Sequence, residues 1–110
     1  MRALFLPIFV LFSASVAAQG SAERGMKLYQ DKWCHSCHGT AGQGGERGAG
    51  PKLAPSPFPY EAFAAQTRRP RSSMPRYPVE VLSDQELTDI YAYIASIKAR
   101  PAKDIPALRD

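Results

Sequence analysis

Five consecutive residues, Cys34-His35-Ser36-Cys37-His38, concentrate the reactive chemistry of the chain and hold both of its cysteines and both of its histidines. Two thiols three positions apart with a histidine directly after the second form the c-type haem attachment pattern, in which each thiol adds to one vinyl group of a single haem. His38 is then carried to the iron as the proximal axial ligand. A neutral ring nitrogen binds iron while the other nitrogen is held by a hydrogen bond. Gly39 follows, and a residue without a side chain lets the backbone pass close to a porphyrin edge.

Two other uses of a Cys-x-x-Cys pair fit the chain less well. A zinc site needs four ligands, and here all four candidates lie within five residues, too short a segment to wrap a tetrahedral ion. A redox-active dithiol expects a strand leading into the motif, whereas the residues before Cys34 read as helix.

The sixth position of the iron decides what such a haem does. His35 sits between the two thioethers and cannot cross to the other haem face, so a second histidine ligand from this chain is excluded. Outside the N-terminal segment, Met26 and Met74 offer thioether sulfur. Met26 is on the helix that feeds the motif, the same side of the chain as the proximal ligand. Met74, in an irregular stretch well beyond Cys37, can fold over the opposite face and is the expected second ligand. The competing role of any methionine is core packing. In Ser73-Met74-Pro75, amid arginines and with no helical stripe, it has no evident packing partner other than a cofactor.

The elements that must position these groups are helical. Ser21 is a candidate N-cap with Glu23 in the first turn, and Gly25, Met26, Tyr29 and Trp33 recur at helical spacing, so a helix is expected from about Ala22 to Trp33. Gly25 in mid-helix costs about 1 kcal/mol relative to Ala, which points to close approach of another helix. Residues 39–50 contain six glycines and no periodicity, a loop without the Gly-Lys-Ser/Thr ending of a phosphate loop. Pro55, Pro57 and Pro59 keep the next stretch extended, and Pro59 can start a helix running from Tyr60 to about Thr67 with Phe63 inward. The last helix is the best signed: Ser83-Asp84-Gln85-Glu86 is a capping box, and Leu82 with Leu87 forms a hydrophobic staple. Its stripe is Leu87, Ile90, Tyr91, Ile94 and Ile97, its basic end Lys98 and Arg100, and its stop Pro101. The tail to Asp110 reads as a surface arm. No strand pattern persists, so the expected class is all-α.

Residues 1–18 read as a signal peptide: Met1-Arg2 is a short positive start, Ala3 to Val16 is almost wholly apolar, and Val16-Ala17-Ala18 offers a cleavage site. The alternative is a retained anchor, because the apolar run is only slightly shorter than the ~20 residues that span a bilayer. Pro7 and the small-residue boundary favour cleavage. Either way residues 19–110 form one exported domain, expected in the periplasm and, once cleaved, without stable membrane insertion. Loss of Arg2 lowers the formal charge from +4 to +3, too little to indicate a nucleic-acid partner. With both thiols committed to thioethers, no disulfide stabilises so small a domain, and burial of a large apolar macrocycle compensates.

The helix with Gly25 and Tyr29, the Cys34 to His38 motif, Gly50-Pro51-Lys52-Leu53, Ser73-Met74-Pro75 and the closing Leu82-Ser83-Asp84 helix occur in an order that resembles the class I c-type cytochromes. The resemblance covers essentially all of residues 19–110. It implies an all-α cytochrome c-like fold with the first and last helices crossing at Gly25, near Tyr91 or Ile94. It further implies that Pro51 offers its carbonyl to the free ring nitrogen of His38, and that Leu53 packs against the haem. The central section is short, so propionate ligands do not carry over from longer members. Arg69 or Arg71 could serve, and solvated loop arginines are an equal alternative.

A haem held by His and Met exchanges electrons without rearranging bonds. The expectation is a non-enzymatic electron carrier with one covalent haem c, either a soluble periplasmic carrier or the cytochrome subunit that accepts electrons from a dehydrogenase. Its partners are redox proteins: a dehydrogenase, an oxidase or another cytochrome. A haem enzyme or ligand-binding haem protein would need the sixth position open. Arg68, Arg69, Arg71 and Arg76 bracket Met74 with no acid among them, which suggests either a docking patch for a negative partner or a solvated, propionate-binding loop.

Overall fold

A computed structural model describes residues 20–55 and 57–99. The expected leader and its cleavage site, Arg100, Pro101 and the C-terminal arm lie outside the described residues. The elements in order are α1 (Ala22–Asp31), α2 (Cys34–His38), a short 3-10 turn (Glu46–Gly48), α3 (Tyr60–Arg68) and α4 (Asp84–Ser96). No strand occurs among the described residues, and the arrangement is all-α, the class expected from the sequence.

The helix α1 starts at Ser21, whose Oγ accepts the Arg24 amide at 3.2 Å, with Glu23 in the first turn. It ends at Asp31, two residues before the expected limit. Lys32 closes the turn, and Trp33 takes a left-handed conformation at φ +65° that redirects the chain into α2. The buried face is Gly25 and Tyr29, one turn apart. Met26 and Trp33, expected on that face, are 50% and 70% exposed. Met26 lies about 100° around the helix from Gly25, and the break at Lys32 carries Trp33 off the stripe altogether.

The capping box of α4 is formed in both directions: Ser83 Oγ accepts the Glu86 amide at 3.1 Å, and Glu86 Oε2 accepts the Ser83 amide at 2.8 Å. Leu82 and Leu87 are both buried across it, as a staple requires. Leu87, Ile90 and Ile94 form the core stripe, joined by Tyr29, Ala54 and Leu82, with Phe63 and Ile97 packed on its margin. The helix stops at Ser96, with Ile97 extended, so Lys98 falls beyond it rather than on its last turn.

The dominant helix pair is α1 with α4. Gly25 meets the backbone carbonyl of Asp89 and the Cβ of Tyr93, and a side chain on Gly25 would overlap that carbonyl. The crossing is therefore at Asp89 and Tyr93, not at Tyr91 or Ile94. Tyr91 turns toward α3, where its ring packs edge-on against Tyr60 and tilted against Phe63, while Ile94 points into the core.

Asp89 is a buried carboxylate that links the two helices. Its oxygens accept the Ser21 amide at 2.7 Å, Arg24 Nε at 2.9 Å and Gln85 Nε2 at 3.0 Å. The Arg24 hydrogen bond, aided by the Ser21 amide and Gln85, holds its pKa below the ordinary carboxylate value against the opposing effect of burial. Arg24 is raised in turn by its hydrogen bond to Asp89. Pro59 precedes α3 in an extended conformation and gives its carbonyl to the Phe63 amide at 3.0 Å.

Candidate functional site

The turn at Trp33 starts α2, the helix that carries the five-residue motif. The Trp33 carbonyl accepts the Ser36 amide at 3.1 Å and Ser36 Oγ at 2.6 Å, which fixes the first turn. Cys34 is half-buried, Cys37 exposed, and neither is in a disulfide. Burial pushes the Cys34 thiol up to about 11. His38 is buried, and its Nδ1 lies 2.8 Å from the Pro51 carbonyl oxygen. A carbonyl only accepts, so Nδ1 carries the proton and Nε2 keeps its lone pair for a metal.

The glycine-rich loop brings Pro51 to that position. The Gly44 amide bonds the His38 carbonyl at 2.8 Å, and the Gly45 amide bonds the Gly50 carbonyl at 3.0 Å. A Cβ on Gly50 would come within 2.6 Å of the Cys37 carbonyl oxygen and 3.0 Å of His38 Nδ1, so this approach requires glycine. Tyr29 donates its hydroxyl to the Gly39 carbonyl at 2.6 Å and Tyr93 donates to Thr40 at 3.1 Å, tying the strand of loop after the motif to α1 and α4.

Two adjoining cavities of about 390 and 400 Å³ open beside the motif. Cys34, His38, Pro51, Gln66, Arg71 and Met74 line both, which makes them two parts of one slot. The inner part is apolar, walled by Leu53, Phe58, Phe63, Leu87, Ile90 and Ile94. The outer part opens past Cys37, with Trp33 and residues Ser72 to Pro75 at its rim. An apolar slot with two thiols at its mouth and an imidazole nitrogen and a thioether on its lining fits a planar macrocycle that carries an iron.

Met74 is half-buried, and Gln66 Nε2 lies 3.8 Å from its sulfur. The same amide holds the loop through Arg71, whose backbone amide reaches Gln66 Oε1 at 3.4 Å. Met26 does not line the slot. Arg71 does, whereas Arg69 lies outside it, so of the two arginines considered for propionates the slot admits Arg71. Arg68 belongs neither to a free patch nor to a solvated loop. Its Nη1 donates to the carbonyls of Tyr77 at 2.9 Å and Leu82 at 2.5 Å, and its Nη2 pairs with Asp84 at 2.6 Å.

Residues 20–94 match the family described as cytochrome c oxidase, cbb3-type, subunit III. The chain is also 30% identical over 98 residues to the cytochrome c subunit of 4-cresol dehydrogenase (hydroxylating) of Pseudomonas putida, an alignment covering 89% of this chain and 82% of that protein. The chain is a class I c-type cytochrome. No solved structure matches it. Membership carries haem c as cofactor and electron transfer as activity.

Several residues that build the slot of this cytochrome are not singled out by sequence. Gln66 and Thr67 look like ordinary helix polar residues, yet Gln66 touches Met74, and Thr67 is buried with its hydroxyl returned to the Phe63 carbonyl at 2.9 Å. Tyr77 lines the slot while its hydroxyl donates to the Lys32 carbonyl at 2.6 Å. Only the one-turn spacing of Phe63 and Thr67 on α3 pointed toward Thr67.

Proposed function

We propose that this cytochrome is an exported single-electron carrier with one covalently attached haem c, serving as the cytochrome subunit that takes electrons from a dehydrogenase. The similarity to a dehydrogenase cytochrome subunit along most of both chains supports the subunit form over a freely diffusing carrier. The apolar segment at residues 1–18 supports export to the periplasm.

In this reading Cys34 and Cys37 would hold the haem through thioethers, and His38 Nε2 and the Met74 sulfur would be the protein ligands of its iron. Pro51 orients the His38 ring and raises its basicity through the 2.8 Å hydrogen bond, and Leu53 packs against the macrocycle. A haem so held supplies an iron that gains and loses one electron. The thioether of Met74 would favour the ferrous state, which would raise the potential, and would leave no open position for oxygen or peroxide. The apolar inner wall of Leu53, Phe63, Leu87, Ile90 and Ile94 would keep water from such a group.

The observation that carries the reading is the placement of His38 and Met74 on one slot, with His38 Nδ1 already committed to Pro51. Met74→Ala tests it. The variant should keep its haem through acid-acetone extraction, lose the weak far-red ferric band of a sulfur-to-iron bond, show a lower potential and bind carbon monoxide. An unchanged spectrum removes Met74 from the iron, and extraction of the haem from the wild type removes the thioethers.

A further inference from the structure

The hydroxyls that line the inner part of the slot are all directed at backbone carbonyls. Tyr29 donates to Gly39 at 2.6 Å, Thr67 to Phe63 at 2.9 Å and Tyr77 to Lys32 at 2.6 Å. A hydroxyl has one O–H to give, so none of the three has a donor left for a group in the slot. Gln66 differs. It is half-buried on α3, lines both parts of the slot and holds its amide nitrogen 3.8 Å from the Met74 sulfur.

Arg71 fixes which way that amide points. The Arg71 backbone amide can only donate, and it reaches Gln66 Oε1 at 3.4 Å; the Arg71 carbonyl can only accept, and it lies 3.4 Å from Gln66 Nε2. A flipped amide would set oxygen against carbonyl oxygen and N–H against N–H, so the network allows one orientation. One hydrogen of Nε2 then faces the Arg71 carbonyl and the second faces sulfur. A thioether sulfur carries two lone pairs. Holding one of them by an N–H leaves the second for a metal.

We propose that Gln66 is a positioning residue for electron transfer: its Nε2–H holds one lone pair of the Met74 sulfur and draws electron density from it, while its Oε1 clips the loop through the Arg71 amide. The proposal rests on the reading that Met74 ligates the haem iron and adds the group that governs that ligand. A sulfur held by a donor is a weaker ligand than a free thioether and favours the ferrous state further, so Gln66 raises the potential. The clip and the donor are separate tasks of one amide, and substitution can remove the second while keeping the first.

Gln66→Leu and Gln66→Glu in the full holoprotein test this by potentiometric titration and by the sulfur-to-iron band. Leucine removes donor and acceptor together; glutamate keeps an oxygen for the Arg71 amide and, once ionised, has no hydrogen for sulfur. Gln66→Leu should shift the one-electron equilibrium about threefold toward the ferric state, a fall of about 30 mV at 59 mV per tenfold. Its band should also vanish at a lower temperature than in the wild type, while far-ultraviolet circular dichroism still reports folded helices. Gln66→Glu should match the wild-type potential in acid, where a carboxyl O–H replaces the amide N–H. As the carboxyl ionises, its potential should fall more steeply with pH than that of the wild type, and its band should move in wavelength. A leucine variant with the potential and band of the wild type overturns the role of Gln66 and leaves the carrier reading standing. A glutamate variant whose band keeps one wavelength through ionisation overturns it too, and decides the matter if the leucine variant does not fold. A wild type that lacks the band overturns the reading of Met74 itself.

Discussion

Gly25 lies so close to the backbone carbonyl of Asp89 that the space a Cβ would occupy is already filled by the oxygen. The helices α1 and α4 therefore meet backbone to backbone, and the core of Tyr29, Leu87, Ile90 and Ile94 sits beside that contact. Backbone atoms cannot swing aside as a flexible side chain does. Gly25→Ala gains helix propensity of about 1 kcal/mol but must separate the helices, and overpacking of this kind typically costs ~1–3 kcal/mol. The expected outcome is net destabilisation in urea or thermal melts and a lower yield of holoprotein. A variant as stable as the wild type would show that the helices can part without loss.

Asp89 makes the same junction sensitive to acid. Its folded pKa is depressed below the unfolded value, chiefly by the Arg24 hydrogen bond. A depressed carboxylate stabilises the fold fully above its unfolded pKa, near 3.9, and that contribution is lost as pH falls through the folded value. Asp89→Asn should be less stable than the wild type at pH 7, where the charged form is favoured. Between about pH 5 and pH 3 its stability should fall less steeply, because the titrating group is gone. Denaturant melts of both proteins across that range give the two slopes, and parallel slopes would refute the assignment.

Gly50 controls the hydrogen bond between His38 and Pro51. Gly50→Ala places a methyl group 2.6 Å from the Cys37 carbonyl oxygen and 3.0 Å from His38 Nδ1, so the 2.8 Å bond to Pro51 must lengthen. On the proposed ligation of the iron by His38, a weaker bond makes the imidazole a poorer donor and favours the ferrous state. The potential should rise by tens of millivolts, a tenfold change in the one-electron equilibrium being about 59 mV. Potentiometric titration reads the shift directly, and a fall in potential would contradict this role for Pro51.

Much of this architecture was legible in the chain. The capping box at Ser83, the Leu82 and Leu87 staple and the five-residue motif are local signals expressed locally in the structure, and a glycine in mid-helix at position 25 is a local signal whose partner, Asp89, lies far along the chain. What could not be read is set by long-range geometry. Periodicity places Trp33 on the α1 stripe because it takes no account of a break at Lys32. Asp89 looks like a solvent-facing helix residue until Ser21 and Arg24 arrive from a helix more than sixty positions earlier. Charge alone groups Arg68 with its neighbours, although its acceptors are carbonyls nine and fourteen residues later.

Those acceptors give Arg68 a specific task. One guanidinium spans the Tyr77 carbonyl, the Leu82 carbonyl and the Asp84 carboxylate, and so ties the end of α3 to the start of α4 across the loop that carries Met74. The Tyr77 amide returns to the Thr67 carbonyl at 3.1 Å, and Gln66 holds Arg71, so the loop is fastened on both sides of Met74. The Asp84 ion pair is the least important of these contacts, since its carboxylate is largely in water. The two carbonyls matter more, because a charged donor to a partly buried acceptor contributes about 1.5–3 kcal/mol. Lysine keeps the charge but cannot present a planar fork to several acceptors at once. Arg68→Lys should therefore lose about 2 kcal/mol of stability and, on the proposed ligation of the iron by Met74, loosen that bond as well. The sulfur-to-iron band should disappear at lower temperature and lower denaturant than in the wild type, ahead of global unfolding followed by far-ultraviolet circular dichroism. Asp84→Asn, which removes only the exposed pair, should leave the band nearly unchanged. If the two variants behave alike, the carbonyl contacts do not hold the loop.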